Sequence, residues 1–153
     1  MDVAEVEEGY PGAAALFRAS ARAEGVHAER IVQAMRDRGI PITEQVPGQP
    51  AIGTTAENLR AAMMAETQER DSTYRDALEI AAEAKDQALM TMFDQTRDTE
   101  VEHANLFATA ARNLDEMKTA KTYYVCGKCG YTSDFKMPLC ALCRVHEHPH
   151  AVE

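Results

Sequence analysis

The sequence predicts an all-α helical bundle followed by a small β module, and three observations carry that prediction. Apolar residues recur at steps of three and four along three long stretches, the spacing of one buried helix face. Pro and Gly separate the first two stretches, in a run from Gly39 to Gly53. After Thr119–Thr122 the composition changes abruptly to a short β-branched and aromatic run and two Cys-x-x-Cys pairs.

Each element has its local reason. Met1–Glu8 is short and acidic, and Gly9-Tyr10-Pro11 punctuates it; Pro11 suits a first helical turn, so a helix is expected from Pro11 to Arg38, stopped by Gly39 and Pro41. Residues 40–53 hold Pro41, Pro47, Gly48, Pro50 and Gly53, a connection long enough to cross the length of a bundle. Thr54-x-x-Glu57 is a capping box opening the second helix, whose inner line runs Leu59, Ala62, Met63, Glu66, Glu69 or Arg70, Thr73, Ala77 and Ile80. That helix weakens at Ala84–Asp86, and a third runs from Asp86 to Lys118. Met35, Met63, Met64, Met90 and Met92 serve as adaptable core filler. Tyr123-Tyr124-Val125 opens the β module. The expected division is a bundle over residues 1–120 and a module over 121–153.

The chemistry lies in the seams of the helices. On the third, Leu89, Phe93, Thr96, Glu100, His103, Phe107, Ala110 and Leu114 share one face, apolar at both ends with a carboxylate and an imidazole between. A lone carboxylate there costs several kcal/mol, roughly, unless paired, protonated or metal-bound. The first helix repeats the pattern: Ala13, Phe17, Ser20, Glu24, His27, Ile31 and Ala34. An offset of 76 residues brings Phe17 onto Phe93, Ser20 onto Thr96, Glu24 onto Glu100, His27 onto His103 and Ala28 onto Ala104. Two inward Glu-x-x-His helices, each paired with a helix giving a further Glu, are the di-iron carboxylate arrangement of ferritin-like bundles. Glu66, with Glu69 one turn later, supplies the further carboxylates. Tyr74, two turns beyond Glu66, either hydrogen-bonds a ligand carboxylate or packs in the core.

Cys126-x-x-Cys129 and Cys140-x-x-Cys143 make a tetrahedral four-thiolate site for zinc or a single iron. Gly130 supplies free backbone beside the second sulfur. In a chain without a secretion signal such pairs read as metal ligands rather than disulfides, which places the protein in a reducing, cytoplasmic location. A net charge of −9 and an isoelectric point near 5.0 argue against a nucleic-acid or anionic-membrane partner. No apolar run reaches the roughly 18–20 residues that span a bilayer. His146, His148 and His150 form a solvated tail.

With these motifs in place, the chain resembles rubrerythrin over essentially its whole length. Glu-x-x-His, Glu-x-x-Glu and Glu-x-x-His precede Cys-x-x-Cys-Gly-Tyr, and the strings Glu8-Gly9-Tyr10, Leu16-Phe17-Arg18-Ala19 and Thr55-Ala56-Glu57-Asn58-Leu59 add to the likeness. The resemblance implies a ferritin-like di-iron domain joined to a rubredoxin-like iron domain, and a peroxide reductase. Electrons from a donor protein, an NAD(P)H-linked reductase or a rubredoxin, would enter at the four-cysteine iron and pass to the di-iron site. Glu24, Glu66, Glu69, Glu100 and His103 match its ligand positions, and His27 matches a ligand that trades places with the carboxylate matching Glu69. A homodimer or higher oligomer is implied as well.

Two departures stand out. Ala141 and Arg144 replace the Pro and Gly usual in a second rubredoxin knuckle, which removes an easy N–H to sulfur and leaves zinc in contention. The repeat also puts the partner of Glu66 before Met1, with Glu7 falling on Glu83. The expected chain therefore carries three of four bundle helices and lacks one Glu ligand, leaving a groove walled by Phe17, Leu59, Phe93 and Phe107. Alternatives are a ferroxidase or iron-handling protein, and a non-catalytic zinc ribbon on a helical interaction module.

Overall fold

The computed structural model describes residues 8–43, 51–146 and 149–153. The acidic residues before Glu8, the middle of the expected crossover and His148 lie outside these residues.

Helix α1 spans Pro11–Asp37, with Pro at its first turn as expected. Gly9 (φ 84) turns the chain into it, and Tyr10 O accepts from Ala13 N and Ala14 N. Helix α2 (Thr55–Gln68) opens with the reciprocal capping box of Thr54 and Glu57. Glu8 reaches across to the same end: its Oε2 accepts from Thr55 N at 2.7 Å and Thr55 Oγ1 at 2.5 Å.

The helix then departs from the expected register. Residues Glu69–Thr73 form a π turn before α3 (Tyr74–Glu83). A π turn inserts one residue without breaking the helix, so the buried line past Glu66 continues through Tyr74 and Ala81. The expected inner residues Thr73 and Ile80 are exposed instead. Lys85 (φ 55) stops the helix within the expected Ala84–Asp86 break. Asp86 then caps α4 (Gln87–Arg112) through Leu89 N and pairs with Arg38 at 2.7 Å, tying the end of α1 to the start of α4. Helix α4 stops short of Lys118: Asn113 leaves helical geometry, and Leu114–Lys118 is a 3-10 turn.

The three-stranded antiparallel sheet has the order β2-β1-β3, from Tyr123–Val125 (β1), Thr132–Ser133 (β2) and His150–Val152 (β3). His150 thus belongs to a strand, yet it is exposed, as is His146, so the expected solvation holds for the two described histidines of the tail. The sheet does not hang from the bundle. Tyr123 and Val125 join Ala13, Leu16, Phe17, Leu59 and Phe107 in one hydrophobic cluster. At Gly12 an added Cβ would meet the carbonyls of Met117 and Thr119, so the bare Cα lets α1 approach the chain where it leaves the bundle. The open groove is smaller than expected. Phe17, Leu59 and Phe107 are at most 7% exposed, and only Phe93 of the four lines a cleft of about 210 Å³, with Ile31, Met35 and Ile80.

Candidate metal centres

α1, α2 and α4 bring Glu24, Glu66, Glu100 and His103 together, with one ligand atom from each lying within 4.8 Å of the others. His27 stands beside them: its Nδ1 is 3.2 Å from Glu100 Oε1 and 3.4 Å from Glu24 Oε2. His103 Nδ1 lies 2.9 Å from Glu100 Oε2, 3.7 Å from Glu66 Oε2 and 3.8 Å from Glu24 Oε1. The two imidazoles stack at 5.9 Å between centroids. Glu69 is outside the four-residue group but close enough for the others' charges to raise its pKa. Ser20 donates to Glu66 Oε1 at 3.1 Å. Tyr74 packs: it is buried, edge-on to His27 and tilted against Phe93.

Crowding sets the electrostatics. Burial raises the Glu66 carboxyl against the pull of His103. Burial, followed by the charges of Glu24, Glu100 and Glu66, pushes Glu69 up to about 7. Burial would raise Glu100 too, but hydrogen bonds from His103 and His27 bring it down to about 2. Burial alone would lower both imidazoles. Glu100 and Glu24 instead raise His27 to about 9, and Glu100 and Glu66 raise His103 to about 10. Without metal, therefore, two imidazolium cations occupy the middle of the carboxylates.

The far side of each ring faces the cysteine module. His27 Nε2 lies 3.1 Å from Cys129 O and 3.0 Å from Thr99 Oγ1. His103 Nε2 lies 3.2 Å from Gly130 O and 3.1 Å from Thr132 Oγ1. Consecutive carbonyls of one knuckle thus receive both rings. Sequence reasoning missed these contacts and both threonines, since no periodicity links residues 27 and 103 to residues 129 to 132. It also missed the π turn, although the ambiguity between Glu69 and Arg70 on the inner line marks where the register shifts.

The four cysteines are free thiols gathered into one cluster. Cys126 and Cys143 sulfurs are 3.7 Å apart, and those of Cys129 and Cys140 are 3.6 Å apart. A tetrahedron with metal–sulfur bonds of about 2.3 Å has edges of about 3.8 Å, whereas a disulfide is close to 2 Å. The hydrogen bond from Cys129 pulls the Cys126 thiol down to about 4, while Cys129 is pushed up, so Cys126 is the thiolate of that pair. Both knuckles keep the same turn. Gly130 (φ 82) donates to Cys126 O at 3.0 Å, and Arg144 (φ 57) donates to Cys140 O at 3.1 Å. The loss of Gly at 144 leaves the turn intact, with a side chain held in the left-handed region at a cost of roughly 1–2 kcal/mol.

Both sites fit metal. Glu24 Oε1 is buried without a hydrogen-bond partner, which is costly for a carboxylate oxygen unless a cation sits against it, and Glu100 Oε1 has only the His27 ring to face. Both Nδ1 atoms point inward, and the sulfur edges match a tetrahedron.

A family model described as Rubrerythrin matches residues 3–111. The rubrerythrin of Porphyromonas gingivalis is 31% identical over 151 residues, covering 95% of this chain and 74% of that protein. Rubrerythrin-2 of Clostridium acetobutylicum is 28% identical, covering 89% and 76%. Among solved structures, fully reduced, all-ferrous nigerythrin superposes with a TM-score of 0.87 at 23% identity, over 98% of this chain and 75% of that one. Its mixed-valent state gives 0.83 at 26% identity, over 98% and 74%. These likenesses agree with a ferritin-like helical fold and with a rubredoxin-like four-cysteine site. None of the helices among the described residues is long and apolar enough to cross a membrane.

Proposed function

This chain belongs to the rubrerythrin family, and on that premise we propose that it reduces hydrogen peroxide to water with electrons entering at its four-cysteine site. Glu24, His27, Glu66, Glu69, Glu100 and His103 would hold two irons, and Cys126, Cys129, Cys140 and Cys143 one more. With iron bound, the cage supplies the two electrons that, with two protons, convert peroxide into two waters, and the cysteine site replenishes them.

The observation that carries the reading is the pair of hydrogen bonds from His27 and His103 to the carbonyls of Cys129 and Gly130. They join the two sites through one side chain and one backbone carbonyl at each point, a short bonded route between an electron inlet and its destination. Iron storage needs no such inlet, which weighs against the ferroxidase reading. The orphaned Glu24 oxygen weighs against a non-catalytic helical module. Glu69, raised to about 7, holds a proton near neutral pH at the rim of the cage.

In this reading residues 1–120 hold the peroxide chemistry and residues 121–153 meet the donor, an NAD(P)H-linked reductase or a rubredoxin. Residues 121–153 carry four Lys or Arg against three Asp or Glu in a chain of net charge −9, and Lys128, Lys136 and Arg144 are exposed. An acidic donor face suits that module better than the bundle. The protein works as a homodimer or larger assembly.

The test is anaerobic mixing of the fully reduced, iron-loaded chain with hydrogen peroxide. Peroxide loss with reappearance of the thiolate-to-iron charge-transfer bands is expected. A reduced chain that leaves peroxide untouched overturns the proposal, as does a parallel aerobic incubation with ferrous iron in which the chain accumulates ferric mineral.

A further inference from the structure

Two histidines meet the cysteine knuckle in the same way, and the hydrogen bonds at each fix which nitrogen keeps its proton when the ring becomes neutral to bind metal. Carbonyl oxygens accept only, so Cys129 O requires a hydrogen on His27 Nε2. Thr99 could have opposed this by donating its hydroxyl to Nε2. Its hydrogen is committed elsewhere: Thr99 Oγ1 donates to Thr96 O at 2.6 Å, leaving a lone pair toward Nε2 at 3.0 Å. The same arrangement recurs at His103. Gly130 O accepts from Nε2, and Thr132 Oγ1 donates to Gly130 O at 3.0 Å while lying 3.1 Å from the ring nitrogen. Both threonines are fully buried, so water does not compete for their hydroxyls. Gly130 adds a steric condition, because a Cβ there would collide with His27 Nε2.

We infer that Thr99 and Thr132 are positioning residues that hold both imidazoles in the Nε2–H tautomer and so aim both Nδ1 lone pairs into the carboxylate cage. A threonine free to donate would favour the other tautomer, which presents an N–H to the cage and ligates nothing. Outer groups that orient a metal-binding histidine are worth about 10- to 100-fold in metal affinity. Each ring here has two such acceptors, so removing one hydroxyl should fall near the lower end of that range. The inference rests on the cage being a metal site, and its readouts do not require peroxide turnover.

The experiment uses the full chain, loaded with zinc and with histidine labelled by nitrogen-15. Proton–nitrogen correlation spectra should show Nε2 of both His27 and His103 as the protonated nitrogen. Titration with cobalt(II) should show Thr99→Val and Thr132→Val each weakening bundle binding about tenfold, with the thiolate-to-cobalt bands unchanged. Thr99→Ser and Thr132→Ser, which keep the hydroxyl, should restore wild-type affinity. A zinc-loaded unmodified chain in which Nδ1 of either ring carries the proton and Nε2 does not overturns the inference whatever the variants do, as do valine variants that bind cobalt as tightly as wild type. A chain with the stated tautomers that fails to consume peroxide would leave the inference standing and overturn the proposed function instead.

Discussion

Glu100 and Glu24 occupy equivalent places on two Glu-x-x-His helices, yet one is sealed and the other is not. The side chain of Glu100 is fully buried, whereas that of Glu24 is 39% exposed. Glu100 touches both imidazoles, at 2.9 Å and 3.2 Å; Glu24 reaches its own histidine only at 3.4 Å. His103 belongs to the four-residue metal cluster and His27 stands outside it. The cysteine knuckles repeat the theme, with Gly130 at ease in the left-handed region and Arg144 forced into it. Duplication copies a motif, but the neighbours decide how tightly each copy is held. The α4 half is the sealed anchor of the cage and the α1 half its more open side.

The strongest way to break this asymmetry is to neutralise each carboxylate in turn. Glu100→Gln should cost more than about a hundredfold in bundle metal affinity and Glu24→Gln about tenfold, bracketing the range seen for supporting groups. Equal losses in metal titrations would show the halves to be equivalent.

The histidines come next. In the metal-free chain, His103→Ala strips a buried partner from Glu100 and Glu66 and should destabilise by about 3–5 kcal/mol. His27→Ala leaves Glu100 paired with His103, and roughly 1–3 kcal/mol is expected. Urea denaturation of the two variants measures the difference, and a larger loss for His27 would reverse the assignment of anchor and open side.

A pH series sharpens the comparison further. Both imidazoles have folded values above the usual 6.5, near 9 and 10. Their stabilisation is complete below about pH 6.5 and is lost as pH rises through those values. Glu69, raised to about 7, adds a loss between its ordinary 4.5 and that value. Glu100 acts in the opposite sense, complete above 4.5 and lost as pH falls toward 2. The metal-free chain should therefore have its highest urea midpoint near about pH 4.5, where the Glu100 contribution is complete and the Glu69 loss begins, and decline toward pH 10. Metal loading at neutral pH should release at least two protons, one from each Nδ1 and a further share from Glu69. A midpoint that climbs between pH 6.5 and 9, or loading without proton release, would contradict the imidazolium pair.

The smallest effect belongs to the knuckles. Arg144→Gly relieves the left-handed strain and should stabilise the chain by about 1 kcal/mol, with little change at the bundle site. Thermal denaturation of the zinc-loaded protein reads it out.

Much of this was legible in the residues because it is local. Pro11, the Thr54–Glu57 box and Asp86 place the helix starts through neighbours within four positions, and the seam steps show which faces turn inward. The two Cys-x-x-Cys pairs define their cluster by spacing alone. What stayed hidden depends on contacts remote in sequence or on a local break in period. The π turn moves Tyr74 and Ala81 inward and Thr73 and Ile80 outward, and a pattern read at constant period runs past it. The second partners of His27 and His103 lie 102 and 27 residues downstream. Their threonines look like ordinary polar residues until the fold brings them to the rings. The apolar walls assigned to an open groove, Phe17, Leu59 and Phe107, are covered by one another and by the strands, a closure that helix periodicity does not report.

The hydrogen bond that His103 donates to Gly130 O also sets an order of assembly. A ribosome makes the bundle first and the knuckle last, so a nascent chain that ends before Cys129 carries Glu24, Glu66, Glu69 and Glu100 but no carbonyl to receive either imidazole. His27 can then lean only on Thr99, and His103 on nothing that the finished protein offers its Nε2. The bundle ligands are thus all synthesised by His103, yet its histidines wait for Cys129, Gly130 and Thr132 before they can aim, and the cysteine cluster closes only afterwards, with Cys140 and Cys143.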